Sequence, residues 1–139
     1  MNRYLGRFDG AAYALLRVIL GFLYWSHGPR WLFGAFTDND PVPLTSLRGV
    51  AGLLEITLGP LIAIGLCAPW AAFIASGEMA YAYLFVHVPR GSWMPIVNGG
   101  EITVALCFGF LYIATRGAGL FSVDSWWASR RAAKHVRAR

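Results

Sequence analysis

Apolar residues in this chain gather in four long runs separated by short polar punctuation. They read "AAYALLRVILGFLYWS" (11–26), "VAGLLEITLGPLIAIGLCA" (50–68), "WAAFIASGEMAYAYLFVHV" (70–88) and "ITVALCFGFLYIAT" (102–115). None alternates polar and apolar residues with the period of two that a membrane β-barrel needs, so each predicts a helix. Extended by their flanks to residues 11–28, 49–68, 69–88 and 97–115, the runs approach the ~20 residues that cross a ~30 Å hydrocarbon core. The stretch "TDNDPVP" (37–43) forbids helix continuation between the first two. Only "CAP" (67–69) lies between the second and third, which predicts a tight antiparallel hairpin with Pro69 in a first turn that tolerates it. The pattern therefore predicts an all-α fold, a four-transmembrane-helix bundle forming a single membrane domain over residues 1–139.

Composition agrees. The chain is 57% hydrophobic and 14% charged, with a mean hydropathy of +0.51, against roughly 25% charged residues in a soluble domain. A soluble fold of this size would have to expose much of that apolar surface, whereas a bilayer is a solvent for it. No small-residue cleavage site follows the first run, which reads as a retained span and not as a removed signal peptide.

Charge orients the bundle. Arg3, Arg7, Arg116, Arg130, Arg131, Lys134, Arg137 and Arg139 would share one side, and Arg30, Arg48 and Arg90 the other. That asymmetry places both termini in the cytoplasm, with Trp25, Trp31 and Trp93 as an interfacial belt on the outer side. The net charge of +5 does not point to nucleic acid, because the cations sit at the chain ends and no basic patch is interleaved with aromatics. The segment "SVDSWWASRRAAKHVRAR" (122–139) reads as a short C-terminal amphipathic helix and basic cytoplasmic tail, with Ser122 and Asp124 as caps, lying on anionic lipid.

Polar residues inside the runs are the candidate chemistry. Arg17, Glu55 and Glu78 would each cost at least ~2.5–3.5 kcal/mol facing lipid at the bilayer centre, so they must face the bundle interior. Arg17 and Glu78 lie within about a helical turn of the same depth, which predicts an ion pair. On the fourth run Glu101, Ala105, Phe108 and Tyr112 share a helical face, Glu101 suits the first turn, and Asn98 can cap it. His27 and His87 end the first and third runs and open related strings, "HGPRW" and "HVPRGSW", a weak echo of two hairpins of similar plan. Two histidines at equal depth admit a b-type haem by bis-imidazole ligation, although a structural histidine is the commoner use. Cys67 and Cys107 have no metal-ligand or redox-pair spacing and read as small buried hydrophobes, so no metal site is expected.

Several of these strings together resemble the DoxX family of small four-helix membrane proteins. They are "LLRVILGFLYWSHGPRWLFG" (15–34), "GLLEITLGPLIAIGL" (52–66), "GEMAYAYLFVHVPRGSWMPIVNGGE" (77–101) and "GAGLFSVDSW" (117–126). The resemblance implies a multi-pass protein of the bacterial inner (plasma) membrane. It also implies a link to thiol and sulfur redox chemistry, as in quinone-linked thiosulfate oxidation and oxidative-stress complexes. Lacking a cysteine pair, this chain departs from any disulfide-exchange mechanism of its own.

The expected function is that of a redox-associated accessory or anchor subunit. Its outer-half polar cavity would draw on Glu55, Glu78, His27, His87, Arg90 and Glu101, with Trp93 and Asn98 nearby and Arg17 as a further buried candidate. Such a site would bind a quinone or another polar-headed apolar ligand, a histidine or arginine bonding its carbonyl and a glutamate exchanging the proton. No redox centre is encoded and no catalytic residue is assigned, so electrons would come from a partner in a membrane redox complex. The alternatives are a non-catalytic membrane assembly protein, whose buried charges fix helix register, and a small transporter formed by a homo-oligomer.

Overall fold

The computed structural model describes residue 4 and residues 6–137, with side chains to residue 133. Arg3 and Arg139, counted above for orientation, lie outside the described residues, as do the side chains of Lys134 and Arg137. Among the described residues every regular element is helical. After a 3₁₀ turn at Gly6–Phe8 come α1 (Asp9–Phe33), α2 (Leu47–Ile64), α3 (Ala68–Ala82), α4 (Pro95–Asn98), α5 (Glu101–Arg116) and α6 (Val123–Arg137). α3 runs on through a π turn at Tyr83–His87 into a 3₁₀ turn at Val88–Arg90.

Three helical stretches, Gly6–Phe33, Leu47–Ile64 and Ala68–Arg90, are long and apolar enough to cross a membrane. α5, expected as the fourth span, has 16 residues, or ~24 Å of helix at 1.5 Å per residue, and the one-turn α4 precedes it. The helices pack as two pairs, α1 against α2 and α3 against α5.

Chain punctuation explains where helices begin and end. Ser46 caps α2 by accepting from Gly49 N at 3.0 Å, and left-handed Gly34 and Gly65 close α1 and α2. The α2–α3 turn is as tight as "CAP" predicts, with Pro69 in the first turn of α3. Cys67 holds a left-handed φ of +49° there and is exposed. That corrects the expectation of a buried thiol: at the apex of so short a turn the side chain projects away from the helix pairs. Cys107, on α5, is partly buried.

Small residues set the α1–α2 contact. Gly21 and Gly28 of α1 meet Gly59 and Gly52 of α2: a Cβ at Gly21 would stand 2.7 Å from the Gly59 carbonyl oxygen, and one at Gly28 would stand 2.8 Å from that of Gly52. In a bilayer, where lipid is as apolar as leucine, close backbone approach of this kind supplies the packing energy. Between α3 and α5 the contact is small against large. Ala71, Ala72, Ala75 and Met79 pack with Leu106, Phe110 and Ile113, and the Ser76 hydroxyl donates to the Cys107 carbonyl at 2.9 Å. Tyr24 joins the two pairs, its ring meeting that of Phe110 edge-on at 5.0 Å. Large side chains such as Leu15, Phe22, Phe73, Phe85 and Phe108 face outward, the inside-out distribution that lipid contact explains.

A polar knot closes the end of the bundle opposite the long α1–α2 loop. Arg17, 1% exposed, donates to the backbone carbonyls of Ala118 and of Phe121, the latter at 2.8 Å, and reaches that of Ala63 at 3.4 Å. The Tyr13 hydroxyl donates to the Gly117 carbonyl. α6 forms as expected, and Ser122 caps it by accepting from Ser125 N at 3.2 Å. Asp124, expected to cap α6, instead caps α3: its carboxylate accepts from Cys67 N at 3.0 Å and Ala68 N at 3.2 Å. The amide donors at the start of α3 would otherwise be orphaned, and the dipole there favours an anion.

Candidate functional site

At the long-loop end the two helix pairs diverge and leave a cavity of about 1110 Å³. Its polar wall comes from four elements: Tyr24 and His27 on α1, Glu55 on α2, Glu78 on α3, and Thr103 on α5. His87 and Arg90 join from the π and 3₁₀ turns that end α3. A π turn shifts the register of every residue after it, and such bulges recur at functional sites. Here it carries His87 back over α5, against Asn98 and Thr103.

The apolar wall is partly open. Val50, Ile74, Tyr81 and Ile102 line the cavity and also rank among the exposed hydrophobic residues. These four side chains thus carry apolar surface from the cavity to the outside of the bundle.

Each polar group has a distinct state. The Tyr24 hydroxyl donates to Glu78 Oε2, which fixes the Glu78 side chain against α1. Glu55 is 4% exposed, and its Oε2 is the one buried side-chain oxygen or nitrogen without a hydrogen-bond partner among the described residues. His87 lies between a carbonyl and a hydroxyl, with Nδ1 3.3 Å from the Asn98 carbonyl and Nε2 3.3 Å from Thr103 Oγ1. A carbonyl can only accept, so the neutral ring carries its proton on Nδ1 and Nε2 accepts from Thr103. Both ring nitrogens being engaged, His87 would have to give up Thr103 to act as an axial haem ligand. His27 likewise directs Nδ1 to a carbonyl, that of Leu23 at 2.9 Å, one turn back on α1.

The mouth is cationic and aromatic. Arg30 and Arg48 line it, and both guanidinium carbons lie 5.3 Å from the Trp31 ring. Stacking on an indole holds a guanidinium in place while leaving its N–H groups free for an oxygen acceptor.

Of the residues singled out in the sequence, the cavity collects His27, Glu55, Glu78, His87 and Arg90. Four others lie elsewhere. Arg17 is in the knot at the opposite end, and the expected Arg17–Glu78 pair is not made: Arg17 spends its donors on carbonyls, and Glu78 accepts from Tyr24. Asn98 is 5% exposed and ties the α3–α5 hairpin, accepting from Gly100 N at 2.8 Å and donating to the Ser92 carbonyl at 2.9 Å. Trp93 is exposed beside that hairpin, its carbonyl accepting from the Tyr83 hydroxyl. Glu101, with Ala105, Phe108 and Tyr112, faces outward, because Thr103, Leu106, Phe110 and Ile113 form the face of α5 that fits the alanines of α3.

Tyr24 and Thr103 are cavity residues that the sequence did not single out, while Trp31 and Arg48 stood out there only as an interfacial aromatic and an outer-side cation. One signal was available for Tyr24: it follows Arg17 by seven residues, which puts it on the same buried face of α1.

The DoxX family model matches residues 12–88. A protein of Haemophilus influenzae described as uncharacterized is 38% identical over 122 residues, covering 81% of this chain and 87% of its own length. No solved structure matches the chain.

Proposed function

The chain belongs to the DoxX family and is a membrane protein, and from that premise we propose that it is an accessory or anchor subunit of a redox complex in the bacterial inner membrane. Its cavity binds a quinone-like ligand. In this reading the chain crosses the bilayer four times, over residues 11–28, 49–68, 69–88 and 97–115. Both termini are cytoplasmic, because eight cations flank that side against three on the other. The cavity then opens in the outer half.

The observation that carries the reading is the convergence of His27, Glu55, Glu78, His87 and Arg90 on one mainly apolar space with an open apolar wall. A ligand with an apolar body would lie against Ile74 and Ile102. Its oxygens would meet N–H donors of the mouth and carboxyl groups of the interior. Protein groups here bind, orient and exchange protons, while electrons come from the partner.

The test is to purify the protein in mild detergent, extract it with organic solvent and assay the extract for isoprenoid quinone by mass spectrometry. In parallel, quenching of tryptophan fluorescence by a short-chain quinone is titrated in a protein whose other five tryptophans are replaced by phenylalanine, so that Trp31 is the reporter. Saturable quenching that weakens in Glu78→Gln supports the site; linear quenching, equal in the variant, removes it.

A second reading, an assembly protein without a ligand, draws on the Arg17 knot, where a buried cation is used wholly for packing. Affinity isolation from native membranes that recovers a stable partner, with no quinone and no saturable quenching, would select it.

A further inference from the structure

Glu55 Oε2 is a buried polar atom with no hydrogen-bond partner among the described residues, on a side chain that lines the cavity. Buried polar groups are almost always satisfied, and one left bare marks a place where something else supplies the bond. Its neighbours do not supply it: Tyr24 is committed to Glu78, and Thr103 to His87. The nearest cation along its own helix face is Arg48, seven residues or ~10 Å away, stacked on Trp31 at the mouth.

Resting on the ligand-binding reading above, we infer that the site takes an apolar-bodied ligand whose head bears a hydroxyl, seated on Glu55, and so favours a hydroquinone or another amphiphilic alcohol over the corresponding quinone. A hydroxyl both donates and accepts, so it satisfies Oε2 whether the carboxyl is ionised or neutral. A ketone or ether oxygen only accepts, so it pairs with the neutral acid but not with the carboxylate, and the preference for a hydroxyl head belongs to the ionised form of Glu55. The cationic mouth works in the same direction. It disfavours an ammonium head, which would otherwise be the obvious partner for a buried carboxylate, and it offers N–H donors to a second ligand oxygen.

Glu55, and not Glu78, thus chooses a hydroxyl head over an ether. Glu78 is already held by Tyr24, so its carboxyl is set by the fold, while that of Glu55 awaits the ligand.

Binding to the purified full-length protein is measured anaerobically by equilibrium dialysis. The probes are a decyl-substituted hydroquinone, its dimethyl ether, the parent quinone, and decanol as an alcohol without the ring. At the alkaline end of the pH range in which the protein stays folded, where the carboxylate form is favoured, the hydroquinone is expected to bind roughly tenfold tighter than its ether, the value of one hydrogen bond to a carboxylate. In Glu55→Leu the preference of hydroquinone over ether falls below about threefold, as loss of that one bond requires. If decanol competes with the hydroquinone at equal affinity, the occupant is a lipid alcohol and not a quinol; if it does not compete, the ring is part of recognition. Equal binding of hydroquinone and ether by the wild-type protein overturns the inference without recourse to any variant and leaves the ligand-binding reading in place. A preference that survives Glu55→Leu also overturns it. Failure of every probe to bind removes both.

Discussion

Gly21 of α1 faces Gly59 of α2 so closely that neither could carry a methyl group: a Cβ at Gly21 would lie 2.7 Å from the Gly59 carbonyl oxygen, and one at Gly59 would lie 2.8 Å from that of Gly21. The atoms in the way are backbone, which cannot swing aside. Gly21→Ala is therefore expected to force α1 and α2 apart and to cost about 1–3 kcal/mol, the usual penalty for overpacking. Gly77, on α3, has nothing within 4 Å of a Cβ position, so Gly77→Ala should be neutral or slightly stabilising through helix propensity. Thermal unfolding in detergent checks both. A Gly21→Ala protein as stable as Gly77→Ala would mean the two helices do not meet there.

The Tyr24–Glu78 hydrogen bond joins the two helix pairs and braces the cavity wall. Tyr24→Phe keeps the ring against Phe110 and removes only the donor. A loss of about 1–3 kcal/mol is expected, the cost of stranding a buried acceptor. In Glu78→Leu the hydroxyl has no carboxyl to meet, so adding Tyr24→Phe should cost much less than in the wild type. A double-mutant cycle by thermal unfolding reads the difference, and additive effects would show that the bond contributes nothing.

How much of this was legible in the sequence depends on whether the determinant was local. The helical character of the runs, the Pro69 turn and the helix after Ser122 follow from periodicity and capping chemistry within a few residues, and the structure is helical in each run. The partners of Arg17 did not follow, because they are carbonyls of residues 118–121, and any residue type supplies a carbonyl. Depth along a helix suggested Glu78, but depth does not fix the direction in which a side chain leaves the helix. The outward turn of Glu101 has the same origin: its helical face was correctly grouped, yet which face packs inward is decided by the alanines of α3. The pairing of Gly21 with Gly59 and of Gly28 with Gly52 left a trace, an equal spacing of seven on two helices, which composition alone does not reveal. The unpartnered state of Glu55 had no trace at all, since it is a property of what surrounds the residue.

The Arg17 knot predicts a separable unit. Arg17→Lys removes the fork that reaches several carbonyls at once, and Asp124→Ala bares two amides at the start of α3. Loss of the Asp124 cap should cost about 1 kcal/mol; loss of the Arg17 contacts should cost more, about 1.5–3 kcal/mol for a charged donor. In both variants hydrogen exchange in residues 117–133 should quicken before that of α1 or α5. Protection lost evenly along the chain would show that the knot is not a unit of its own.

Cys67 tests the orientation. It is exposed at the α2–α3 turn, on the side that the cation count places in the cytoplasm, whereas Asp38 is exposed in the long α1–α2 loop on the other. With Cys107 replaced by alanine, a membrane-impermeant maleimide should leave Cys67 unlabelled in intact bacterial cells and label it once the inner membrane is permeabilised. An Asp38→Cys variant that also lacks Cys67 should label without that permeabilisation, through an outer membrane opened if one is present. The reverse pattern would turn the bundle over, moving the cavity with Glu55 and His87 to the cytoplasmic half and the basic α6 to the outside. That arrangement would contradict the distribution of arginines on which the orientation rests.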